Sequence, residues 1–236
     1  MMDEIIRNSV KILTREHYDT QSMRLKLEGR IGITKSGAVK KGAPEVSKEV
    51  LAPVFDNYEF WKQREADTEK ALKKEVKKHI LWKAFLKDVK GCGEAMAAVI
   101  ISEIDIERAK TVSSIWSFAG MAPGKDRKVK GQTRSYNQFL KDKMLGILGS
   151  SFLKCKSPYS EYYYSMRHRL ESQNWGMDAK APSDKTKPKA MHQHKAANRY
   201  MVKMFLKDLY VAWRTIEGLP VREPYQEEYL NHRHVG

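Results

Sequence analysis

Three observations predict a mostly α-helical fold for this chain of 236 residues. Apolar residues recur at three- and four-residue spacing over long stretches. No segment reads as a strand, since Val99-Ile100-Ile101 is short and sits in a helical context. Finally, Phe85 to Ile101 runs from an apolar, lysine-rich helix through Gly91-Cys92-Gly93 and at once into a helix of small residues, the sequence of a helix-hairpin-helix. The length suits one or two domains and suffices for a real core.

Residues 3–30 read as helix, with Ile5, Ile6, Val10, Leu13 and Tyr18 as an imperfect apolar stripe that Met23, Leu25, Leu27 and Ile31 continue. Residues 32–47, rich in Gly, Lys and small side chains, predict a flexible loop. A second helical region is expected over 48–89, with Pro53 as an early break. From Asp67 onward Leu72, Val76, His79, Ile80, Leu81, Phe85 and Leu86 keep helical spacing, so the N-terminal helices are expected to be long and coiled-coil-like. The run Lys73-Lys74-Glu75-Val76-Lys77-Lys78 reads as a solvated face, or as one turned to DNA.

The hairpin is placed at 89–93, and its second helix runs to about Ile104. Thr111-Val112-Ser113-Ser114 offers a hydroxyl N-cap to a short helix with Ile115, Trp116, Phe118 and Ala119 inward, ended by Gly120. Helix resumes over Ser135–Leu153, and Ser157-Pro158 opens another, carrying Tyr159, Tyr162, Tyr163 and Met166. Residues 176–190 read as a polar linker. A final helix over Lys189–Ile216 turns Ala196, Ala197, Tyr200, Met201, Met204, Phe205, Leu209 and Trp213 inward, before an irregular tail with Pro220 and Pro224.

Charge narrows the function. Lys and Arg total 44 against 29 acidic residues, a formal net charge of +15. Such an excess argues about partners rather than fold, and nucleic acid is the first candidate, ahead of an anionic membrane surface or a merely soluble lysine-rich protein. Cys92 and Cys155 alone cannot form a disulfide framework or a four-cysteine zinc site, and read as reduced thiols of a cytoplasmic protein. The acidic opening Met1-Met2-Asp3-Glu4 lacks a signal-peptide pattern. No apolar run approaches the ~18 residues of a membrane span.

Chemistry is expected at the hairpin first. Gly91 and Gly93 permit a tight turn, positive φ and close backbone approach. Free N–H groups at the start of the next helix suit an anion. Lys90 and the N–H groups of Gly91, Cys92 and Gly93 are therefore expected to hold a phosphate. Lys125, Arg127, Lys128 and Lys130, with Arg134 beyond Gly131 and Asp126 as the only acid, form a basic loop that would order on a groove. Lys195, Arg199, Lys203 and Lys207 recur every fourth residue of the last helix, as a solvated face or a second phosphate surface.

Other clusters read as scaffold. Glu103, Asp105 and Glu107 do not share one helical face as converging metal-binding carboxylates must. His192-x-His194 and His232-x-His234 lack a nearby cysteine, and His192 and His194 suit phosphate or water better than metal. The tyrosines at 159, 162 and 163 read as core, with stacking on unpaired bases as the alternative. No metal or other cofactor is expected.

Taken in order, Val89-Lys90-Gly91-Cys92-Gly93, Ala97-Ala98, Ser102-Glu103-Ile104 and Phe118-Ala119-Gly120-Met121-Ala122-Pro123 resemble the C-terminal domain of the bridge-RNA-guided insertion-sequence transposases. Pro158-Tyr159-Ser160-Glu161-Tyr162-Tyr163 resembles that family's Asn-Pro-x-x-x-x-Tyr-Tyr stretch. His194-Lys195-Ala196-Ala197-Asn198-Arg199 through Trp213, followed by Pro224-Tyr225, resembles its closing Ala-rich helix. The resemblance covers about residues 80–226. It implies a helical region over 1–80, a transposase-C-terminal-like domain over 81–226 and a tail over 227–236.

Two departures limit what the resemblance carries. The family begins with a nuclease-like domain, and the helical residues before the hairpin here are too few for one. The family also uses a serine nucleophile in a loop after its Ala-Gly-Leu-x-Pro turn. Here that loop, Lys125 to Arg134, has no serine, and the nearest one, Ser135, reads as a helix start with no activating group evident. The expected function is therefore backbone binding to duplex or branched DNA, or to structured RNA, without catalysis of its own, in a prokaryotic or phage cytoplasm. Two alternatives stand beside it: the strand-transfer half of a split transposase, and a regulator that co-assembles with a transposase or a host DNA-processing machine. Self-association through the N-terminal helices fits all three.

Overall fold

The computed structural model describes residues 2–43, 45, 47, 49–122, 130, 131, 133–173 and 187–222. Helices dominate, and among these residues there is no strand, only an isolated antiparallel bridge between Ile33 and Val39. The chain divides into two compact units, 1–79 and 80–236.

The first unit is a pair of long helices, α1 (Met2–Ile31) and α2 (Ala52–Val76). Pairings run antiparallel: Thr20 meets Thr68, Arg24 meets Glu65, and Leu27, Ile31 and Ile33 cluster with Tyr58. Pro53 does not break a helix; it occupies the first turn of α2, where its missing N–H costs nothing. The loop between the helices is expected from composition, but it is pinned by the Ile33–Val39 bridge.

The seam of this pair differs from the apolar stripe that the sequence suggests. Ile5 and Ile12 are 61 % and 70 % exposed, while Thr14, His17, Thr20, Arg24 and Glu28 are buried beside Val10, Leu27 and Ile31. These positions do follow helical spacing, but five of the eight are polar. Thr14, Thr20 and Thr68 satisfy their hydroxyls on backbone carbonyls three or four residues back. Arg24 donates to both Glu28 and Glu65. Gln21 Nε2 donates to Glu65 Oε1 at 3.2 Å, and Lys35 Nζ lies 3.7 Å from the same oxygen. Burial pushes the Glu65 carboxyl up, but the hydrogen bonds from Arg24 and Gln21 and the charges of Arg24 and Lys35 outweigh it and hold it below the usual carboxylate range.

One expected long helix is interrupted. The N–H groups of Lys78 and His79 bond carbonyls three residues back, tightening the last turn of α2. Helix restarts only as α3 (Ile80–Ala84), followed by a 3₁₀ turn at Leu86–Asp88.

In the second unit α4 (Glu94–Glu103) is the central element, buried at every residue from Met96 to Ser102, as expected of a helix apolar all round. α5 (Val112–Phe118) starts at Thr111, whose hydroxyl accepts from Ser114 N, as the sequence suggests. Its inward face is Val112 and Ile115; Phe118, expected inside, is 41 % exposed. Helix then runs unbroken from Gln138 to Lys154 as α6 (Gln138–Asp142), a π-helical segment (Lys143–Leu148) and α7 (Gly149–Lys154). It begins after Ser135, not at it, because Asn137 supplies the cap, its side chain accepting from Leu140 N at 3.0 Å. α8 (Ser160–Ser172) packs on α9 (Lys187–Ile216).

α9 supplies the partners that this arrangement needs. Asn198 Nδ2 donates to Leu145 O at 2.9 Å, satisfying a carbonyl inside the π segment, and its amide leaves no room for a side chain at Gly149. Buried Arg214 donates to the carbonyls of Ile106, Ala109 and Pro220, tying the α4–α5 connection and the chain after α9 to one guanidinium. Tyr210 Oη donates to Lys110 O at 2.9 Å.

Candidate nucleic-acid interface

The turn at 89–93 is built from opposite requirements at its two glycines. Gly91 has φ +96°, and a Cβ there would fall 2.8 Å from Cys155 Sγ and 2.9 Å from Phe152 Cδ1. Ser151 Oγ donates to Gly91 O at 2.8 Å. Glycine is therefore demanded at 91 by both backbone angle and space, and the close approach is to α7. Gly93 has φ −76° and ψ 173°, ordinary extended backbone, and a Cβ there would meet nothing within 4 Å. It is the N-cap of α4 and brings no side chain to cap that helix.

Between the glycines Cys92 turns inward. Its side chain is buried, its N–H donates to Val89 O at 2.9 Å, and burial pushes its thiol up to about 12. The thiol is neutral and inert at physiological pH. Lys90 is exposed. The exposed residues of the turn are thus Lys90 and Gly93, followed by half-buried Glu94 in the first turn of α4. The segment before the turn is α3 plus a 3₁₀ turn, not the extended helix expected from sequence.

The basic loop is seen in part. Lys125, Arg127 and Lys128 lie outside the described residues, as do His232, His234, Pro224-Tyr225 and the tail over 227–236. Lys130, Arg134 and Ser135 are exposed.

On α9 the basic residues at four-residue spacing differ in their surroundings. Lys195 is exposed and Arg199 half-buried. Lys203 lies 4.1 Å from the centre of the Trp116 ring, whose Nε1 donates to Lys203 O at 3.2 Å. Burial, and secondarily the charge of Arg199, lowers the pKa of Lys203. Lys203 therefore packs α9 against α5.

The other clusters have local roles. Glu103 accepts from Asn137 Nδ2, and Asp105 Oδ1 accepts from Arg108 N at 3.2 Å. His194 Nδ1 is 2.8 Å from Tyr163 Oη. Among the described residues no group of three or more His, Cys, Asp or Glu is placed to hold a metal ion.

Beside the turn opens a groove of about 850 Å³. Phe85, Val89 and Lys90 line one side, and Tyr159, Tyr162 and Arg169 of the α8 segment another. Tyr159 is fixed there by stacking on Phe152, with ring centroids 5.1 Å apart, and by donating to Asp208 Oδ2 at 2.8 Å. Sequence reasoning missed this groove, because its walls come from three segments far apart in the chain.

Residues 83–164 match the model of the Transposase IS116/IS110/IS902 family. The transposase-like segment takes in the turn, α4, α5, the basic loop, α6 to α7 and the tyrosines of α8. No curated protein and no solved structure matches the chain. No helix among the described residues is long and apolar enough to cross a membrane.

Proposed function

We propose that this is a transposase-like nucleic-acid-binding protein that grips the phosphate backbone through the 89–93 turn, aided by the basic residues Lys125, Arg127, Lys128, Lys130 and Arg134 and by Lys195 and Arg199 on α9. The observation that carries the reading is the pairing of exposed Lys90 with an α4 N-terminus whose N-cap, the open Gly93, brings no side chain of its own. Backbone N–H groups and the helix dipole favour an anion there. In a chain of net charge +15 with a transposase-like segment, a DNA phosphate is the natural anion. Contacts of this kind position a duplex without reading its sequence. DNA, duplex or branched, is the proposed polymer, with structured RNA as the alternative.

The test is binding of the full chain to labelled duplex DNA and structured RNA across a salt series. Affinity should fall steeply with salt, with a log–log slope of about −5 if six phosphates are engaged. Gly93→Val should weaken binding at least ten-fold, because it places a branched side chain in the anion's path at a position where a Cβ meets nothing within 4 Å. Wild-type protein that binds neither polymer at physiological salt would refute the reading.

A further inference from the structure

We propose that the groove beside the turn receives an unpaired nucleobase, so that the protein prefers DNA carrying an extrahelical nucleotide to continuous duplex. This rests on the backbone-binding reading above and adds what the surface selects. Val89 and Lys90 belong to both the turn and the groove wall. A nucleotide whose phosphate sits at the turn therefore has its base beside the opening.

The walls suit a base. Phe85, Tyr162 and Tyr200 are half-buried rings lining the space, with Tyr162 edge-on to Tyr200 at 6.2 Å. Tyr159 backs them in a fixed orientation. Aromatic side chains of this kind stack on any base, because every base offers a π face. About 850 Å³ is ample for one base and lies within the range of small-ligand pockets.

Charge distinguishes a base from a phosphate as the occupant. Asp88, Glu161 and Asp208 line the groove against Lys90 and Arg169, so in a strongly basic chain this hollow is not basic. Carboxylates repel a phosphate from the interior but accept hydrogen bonds from the exocyclic amino groups of bases. Exposed Lys90 and Arg169 remain available for the flanking phosphates. One further polar group has no partner: Ser157, 1 % exposed and lining the groove, has a hydroxyl with no hydrogen bond.

The test compares the full chain on two duplexes of one sequence, one perfectly paired and one with a single bulged 2-aminopurine, at one salt concentration. The bulged duplex should bind about ten-fold tighter, with a change in aminopurine fluorescence on stacking. Tyr162→Ala should remove the preference and Tyr162→Phe should keep it. Ser165→Trp, which fills the groove from an exposed position, should remove it with the core untouched. Lys90→Ala should weaken both duplexes alike and leave the ratio. Equal affinity for the two duplexes in wild-type protein would overturn the groove while leaving the backbone reading intact. Absence of binding to either would overturn the groove proposal and leave the backbone reading only its RNA alternative.

Discussion

Beside the apolar cluster of Leu27, Ile31 and Tyr58, the α1–α2 pair is closed over Thr20, Arg24, Glu28, Glu65 and Thr68, whereas in the buried stretch Met96 to Ser102 of α4 only Ser102 is polar. The two units fix their helices by different physics. In the first, a slip of one turn would part Glu65 from Arg24 and leave its carboxylate buried without that cation, so electrostatics sets the register. In the second, register is set by shape: Gly91 against Cys155 and Phe152, Gly120 against Tyr136, Gly149 against Asn198. A polar seam defines a pairing sharply but contributes little net stability, because desolvation offsets the attraction. A close-packed core contributes stability and can hold an exposed turn rigidly, as a phosphate-binding turn requires.

The largest expected effect tests the polar seam. Arg24→Ala leaves Glu28 and Glu65 buried without their cation and should cost about 3–5 kcal/mol in chemical denaturation. Replacing the whole set, Arg24→Met with Glu28→Leu and Glu65→Leu, should recover most of that loss. Acid probes the same seam. Because the folded Glu65 carboxyl is held below its ordinary value, its stabilisation is complete above about pH 4.3 and is lost as pH falls through the lowered value. Amide exchange should show α1–α2 loosening over that acid range, and a pair insensitive to pH there would contradict the electrostatic account.

Next is the shape-set unit. Gly91→Val meets a positive φ and an occupied space together and should cost about 3 kcal/mol. Asn198→Ala, which strips the Leu145 carbonyl of its donor inside the π segment, should cost about 1–3 kcal/mol. Smallest is Gly93→Val, about 1 kcal/mol from a poorer N-cap residue. A Gly91 variant thus reports on folding and a Gly93 variant on binding, although the two glycines look alike in sequence.

That pair also shows how much the sequence reveals. Helical spacing is enough to find α1, α4, α5 and α9 and the Thr111 cap, because each is set by local chemistry. It misplaces the seam of α1, because a period carried by Thr14, His17 and Arg24 is invisible to a search for apolar residues. It carries one helix across Lys77–His79, since nothing local marks that break. The turn and exposed Lys90 were legible, while the inward Cys92, the contact of Lys203 with Trp116 and the groove depend on contacts between distant segments.

The most direct test of the central claim is amide hydrogen exchange of the full chain with and without duplex DNA at low salt. Slowed exchange at Gly93, Glu94 and Ala95, with α1 and α2 unchanged, is the predicted result. Unchanged exchange at those amides, with new protection confined to the α1–α2 pair, would contradict the account.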